Sequence, residues 1–104
     1  MTIPLQITFS GFPHSAAVDT DIREKVATLE SSPIFIARCH VFVEAQHQAS
    51  KQGKLSRIRV ELSVPDKMLV ISYAHQGSGI CRMIEEAFDS AAEQLAEYAL
   101  HRLK

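Results

Sequence analysis

Arg57 and Arg59 alternate with Ile58, Val60 and Leu62 in the run Lys54-Leu55-Ser56-Arg57-Ile58-Arg59-Val60-Glu61-Leu62-Ser63-Val64. Period-two alternation puts the aliphatic side chains on one face of a strand and both guanidinium groups on the other. Guanidinium groups stay charged and fork toward phosphate oxygens, so two of them on a flat sheet suit a polyanion such as RNA. The same pattern also serves as a solvated face whose arginines pair across strands, here with Glu44 or Glu61. Both readings stand on these residues alone.

Other reactive side chains are sparse. Cys39 and His40 are adjacent, and in a strand that places them on opposite faces, where they do not share a metal ion. His75 and Cys81 flank Gln76-Gly77-Ser78-Gly79, but no third ligand or orienting acid accompanies them. A cysteine at a helix start can ionise more readily, yet an inert thiol is the plainer reading. The glycine-rich stretch lacks the lysine and the spacing of a phosphate-binding P-loop, so it reads as a connection. No catalytic residue, metal site or cofactor is expected. Glu85, Asp89, Glu93 and Glu97 recur every four residues, a solvated helix face or a docking surface for a basic protein partner.

The elements that position these residues follow from periodicity. Leu5, Ile7 and Phe9 alternate with polar residues in a first strand that ends at Gly11-Phe12-Pro13. Asp19 or Thr20 can cap a helix over about 21–30, with Ile22, Val26 and Leu29 on its apolar stripe and Ser31-Ser32-Pro33 as its stop. A second strand runs over 34–46, with Phe35, Ala37, Cys39, Val41 and Val43 inward and Arg38, His40, Phe42 and Glu44 outward. Pro65-Asp66 turns the basic strand into a hairpin with 68–73, and a long helix over about 80–103 buries Ile84, Phe88, Ala91, Leu95, Tyr98 and Ala99. The order β-α-β-β-β-α gives an α+β fold, a four-stranded sheet with both helices packed on one face. The open face, with Phe42 and Tyr73 among its polar residues, is a candidate dimer surface, so a monomer or weak homodimer is expected.

At 104 residues and 46% hydrophobic content the chain makes one domain over 1–104, large enough for a two-layer core without disulfides. It contains no membrane-spanning run and opens with no secretory signal, so a cytoplasmic location is expected. Eleven Lys and Arg against twelve Asp and Glu leave a net charge of −1. Polyanion binding therefore requires that positive charge be gathered on one surface.

Across nearly its full length the chain resembles the ribosome hibernation-promoting factor family, also called ribosome-associated inhibitors or sigma-factor modulation proteins. The resemblance rests on Leu5-Gln6-Ile7-Thr8, Asp21-Ile22-Arg23-Glu24-Lys25-Val26, Gly53-Lys54-Leu55 leading into Arg57 to Pro65, and Ala87-Phe88-Asp89 followed by Gln94-Leu95. It implies a fold like a double-stranded-RNA-binding domain and a non-catalytic translation inhibitor. Such a protein lodges on small-subunit rRNA in the channel for messenger and transfer RNA, during stress or stationary phase. Arg23, Lys25, Lys54, Arg57 and Arg59 match the family's basic positions, and Arg38, His40, Lys51 and Arg82 extend the set.

The departures concentrate at the last helix. Gly79-Ile80-Cys81-Arg82 stands where members carry an acid and a tyrosine, and acids from Glu85 to Glu93 replace a Lys/Arg-rich stretch. Val64-Pro65-Asp66 replaces a Val-Pro-Gly turn, and the sequence ends without the C-terminal extension of long members. An acidic helix repels rRNA. The alternative function is therefore a module of the same fold that binds a protein through Glu85, Asp89, Glu93 and Glu97.

Overall fold

The computed structural model describes residues 3–11, 16–31, 34–47, 54–76 and 80–102. Its elements are β1 (Leu5–Ser10), α1 (Ala16–Leu29), β2 (Arg38–His47), β3 (Lys54–Val64), β4 (Lys67–Gln76) and α2 (Ile80–Arg102). The strands form one mixed sheet in the order β1-β2-β3-β4. β1 runs parallel to β2 because α1 carries the chain back between them, whereas the β2–β3 and β3–β4 pairs are antiparallel. This is the expected α+β arrangement.

Register explains where the core sits. Cys39, Val41 and Val43 on β2 lie opposite Leu62, Val60 and Ile58 on β3, and all six are 0% exposed. The row continues through Leu69 and Ile71 on β4. Val18, Ile22, Val26 and Leu29 of α1 and Ile84, Phe88, Ala91 and Leu95 of α2 close over this face in a single cluster. Burying each large aliphatic side chain contributes roughly 1.5–3 kcal/mol, so the helices are held by one dry sheet face. Gly11, at φ 85°, ends β1 in a conformation open to glycine at little cost.

The β3–β4 turn is tied to α2. Val64 pairs with Lys67, leaving Pro65 and Asp66 as the two-residue loop. The Tyr98 hydroxyl donates to the Asp66 carboxylate, and Lys67 Nζ stands 5.3 Å from the centre of the Tyr98 ring. Among the described residues no non-glycine residue has positive φ, so this loop does without the glycine of the family's turn. Asp66 instead provides an anchor for the last helix.

Three expectations change. α1 starts at Ala16 rather than near residue 21, because Val18 extends the Ile22–Val26 stripe by one turn; Asp19 lies inside the helix, paired with Arg23. β2 starts at Arg38, since its partner β1 begins opposite Cys39. In the approach to it Ile36 is buried, while Phe35 is 60% exposed and Ala37 is also exposed. Tyr73 lies opposite Ile58 and so belongs to the helix side of the sheet, not the open face.

Cys39 is buried, and burial pushes its thiol up to about 12, whereas Cys81 is exposed. A thiol reagent at pH 8 is expected to label one cysteine quickly in the folded protein and both after denaturation. Because the folded value lies above the ordinary one of 9.0, this contribution to stability is complete below pH 9 and is lost as pH rises toward 12. Tyr98→Phe should cost about 1 kcal/mol, a fall in Tm of roughly 4–8 °C by thermal denaturation. If the Asp66 contact is the cause, Asp66→Gly should add little on the Tyr98→Phe background.

Candidate nucleic-acid interface

The sheet face turned away from the helices gathers the outward residues of all four strands. Arg57 and Arg59 are exposed there while Ile58, between them, is fully buried. Thr8 Oγ1 and His40 Nε2 share a hydrogen bond of 2.9 Å, and the His40 ring stacks on Phe42 with centroids 3.7 Å apart and planes 24° from parallel. The Arg59 guanidinium carbon lies 4.3 Å from the centre of the Phe42 ring, and Arg59 Nε lies 3.3 Å from Glu61 Oε2. Register dictates this cluster, since Phe42 lies directly opposite Arg59 and His40 opposite Glu61. Stacking on an aromatic ring holds a guanidinium plane in place, an exposed contact worth about 0.5–1 kcal/mol.

Arg38 is exposed on the same face at the start of β2, and Arg57 lies opposite Glu44. The structure therefore brings Arg38, His40, Arg57 and Arg59 together. Lys54 opens β3 opposite His47, and its side chain, like the whole of Lys51, lies outside the described residues.

Arg23, Lys25 and Arg82 belong to the helix layer on the other side of the sheet, so they do not join that group. There Arg23 Nε is 2.5 Å from Asp19 Oδ1 and Arg82 Nε is 3.4 Å from Glu86 Oε1, each one helical turn away. Glu85, Glu86, Asp89, Glu93 and Glu97 are all exposed along α2. Among the described residues charge is thus divided between two layers, with three arginines against two glutamates on the open face and an acidic surface on α2.

The sequence reading placed Phe42 outward but missed its part in the arginine cluster. Only the His40–Phe42 spacing of two residues hinted at it; the contact with Arg59 depends on strand register. Among the described residues no group of three or more His, Cys, Asp and Glu side chains comes together to hold a metal ion. The His75–Cys81 pairing lies outside the described residues because the His75 side chain does. A cleft of about 210 Å³ between α1 and α2, lined by residues including Leu29, Ala92, Leu95 and Ala96, has no titratable side chain in its wall.

The fold recurs in solved structures. The chain is similar to a ribosomal subunit interface protein from Coxiella burnetii, with a TM-score of 0.72 at 14% identity over 94% of this chain and 99% of that one. It is also similar to the N-terminal domain of Protein Y from Thermus thermophilus, with a TM-score of 0.66 at 16% identity over the same shares. No curated protein matches in sequence. The family profile described as Sigma 54 modulation protein / S30EA ribosomal protein matches residues 5–102, from the first residue of β1 to the last of α2, and the chain belongs to that family.

Proposed function

We propose that this protein associates with the ribosome and acts by occupancy. The open sheet face lies on small-subunit rRNA in the messenger and transfer RNA channel and holds translation off during stress or stationary phase. Family membership supports ribosome association. The observation that carries the choice of face is the division of charge, with Arg38, His40, Arg57 and Arg59 on the open sheet and the acid row on α2.

Phosphates repel the α2 surface and attract the sheet, so electrostatics alone orients the chain. Each phosphate neutralised releases counterions, and recognition through backbone and shape requires no base-reading motif. The Phe42-stacked Arg59 is held in place before binding, which reduces the entropy lost when it meets a phosphate. The resemblance to the family's basic positions adds Lys54, and with it Lys51, to the proposed contact set. Arg23, Lys25 and Arg82 make a weaker contribution, because they share the helix layer with the acid row of α2. The mechanism uses no catalytic residue and no cofactor. A cytoplasmic location accords with a ribosomal partner, and among the described residues no helix is long and apolar enough to cross a membrane.

A second reading is favoured by one observation. Glu85, Asp89, Glu93 and Glu97 are exposed at one-turn spacing, a surface that suits a basic protein. Sedimentation with ribosomes separates the two. The protein should pellet with ribosomes at about 50 mM salt and be largely released by about 200 mM. Arg57→Glu/Arg59→Glu should weaken pelleting at least ~10-fold with its circular dichroism spectrum intact, whereas neutralising the four acids to glutamine should leave it unchanged or strengthened. Failure to pellet at low salt rejects ribosome association, and loss only in the acid-row variant moves the contact to α2.

A further inference from the structure

β4 closes one side of the sheet, so among the described residues one row of its backbone N–H and C=O groups has no strand beside it. Edge strands usually carry a proline, a bulge or a charge within the strand that deters pairing with another chain. β4 has none of these. Its ten residues pair with β3 without interruption, it contains no proline, and its one lysine stands at its first position. Met68 is 52% and Val70 49% exposed on the open face, and Tyr73 is 37% exposed on the helix side.

We infer that β4 seats a second copy of this chain through a two-fold antiparallel β4–β4 contact, which joins two four-stranded sheets into one. The strand is complementary to itself. With Ile71 on the two-fold axis, Val70 lies opposite Ser72 and Met68 opposite Ala74, so on the open face each larger side chain meets a smaller one, while on the helix side Leu69 lies opposite Tyr73. Directly opposed residues share a face in an antiparallel pair, so this register keeps both helix layers on one side. The two Lys67 residues fall at opposite ends of the contact and do not meet.

α2 permits this approach. Ala92 and Ala96 line the cleft against α1. At about 100° of rotation per residue, Ser90 and Gln94 project from the other flank of α2, toward the β4 edge. Both are uncharged and half-buried, while Glu85 and Asp89 share the α1 side. Glu86 and Glu97 stand beside them, within about 40° of Ser90, so two facing α2 helices bring acids near one another and keep the association weak. A head-to-tail contact of β4 with the six-residue β1 would leave free edges and grow into filaments, whereas β4 with β4 closes at two chains. The join leaves the face of Arg57 and Arg59 uncovered, so the inference does not rest on the proposed function.

Sedimentation velocity over roughly 1–500 µM protein should show a mass rising from one chain to two, with half-dissociation on the order of 10–100 µM, as for a small interface. Val70→Lys/Ser72→Lys alters two exposed positions and sets lysines opposite one another twice, which should weaken association at least ~100-fold with the circular dichroism spectrum unchanged. On a Cys81→Ser background, Val70→Cys protein mixed with Ser72→Cys protein should form a disulfide-linked dimer on oxidation, well above the yield of either variant alone. A mass of one chain throughout, growth beyond two chains, or cross-linking that does not depend on mixing the two variants would each overturn the inference.

Discussion

The antiparallel register between β2 and β3 is the constraint on which the remaining structure depends. It sets Cys39, Val41 and Val43 against Leu62, Val60 and Ile58 and so creates the dry face that both helices cover. The same register sets Phe42 against Arg59 and Glu44 against Arg57 on the other side. A slip of one residue would bury the arginines and expose the valines. Core and candidate interface are therefore two consequences of one pairing.

The last helix shows how a chain that departs from its relatives keeps the same frame. α2 packs on the sheet through residues such as Phe88 and Leu95, and it is also fixed at the β3–β4 turn, where Tyr98 reaches Asp66. The turn residue Asp66 thus takes part in helix docking. On its outer side the helix carries acids, which sets them apart from the exposed arginines of the sheet. In the helices Arg23 and Arg82 are matched by Asp19 and Glu86, so their charge acts locally. On the sheet Arg59 is likewise paired, with Glu61, and is in addition held in position by an aromatic ring.

Much of this was legible in the sequence because the strongest signals are periodic. The alternation from Arg57 to Val64 located β3 and both its faces, and the spacing of Ile84, Phe88, Ala91 and Leu95 located α2. Reading failed where a residue's surroundings depend on a partner distant in sequence. Phe35 and Ala37 fit the alternation of β2, but β1 offers no pairing partner before Cys39, so the strand starts later and Ile36 takes the buried place. Tyr73 carries the alternation of Leu69 and Ile71 onto the helix side, a position fixed by its pairing with Ile58. The basic residues read singly as one set divide between two layers, and only the sheet's topology separates Arg23, Lys25 and Arg82 from Arg57 and Arg59.

In the proposed complex the open sheet face, rather than the helix layer, meets the ribosome. Protection from alkylation tests it most directly, using single cysteines at two exposed sites, Ser72→Cys on the open face opposite Arg59 and Ala96→Cys on α2, each on a Cys81→Ser background. Ribosomes at saturating concentration should slow modification at position 72 by roughly tenfold or more, as expected for a site withdrawn from solvent, and leave position 96 unaffected. Protection at position 96 with position 72 still freely modified would contradict the account and assign the contact to the acidic helix layer.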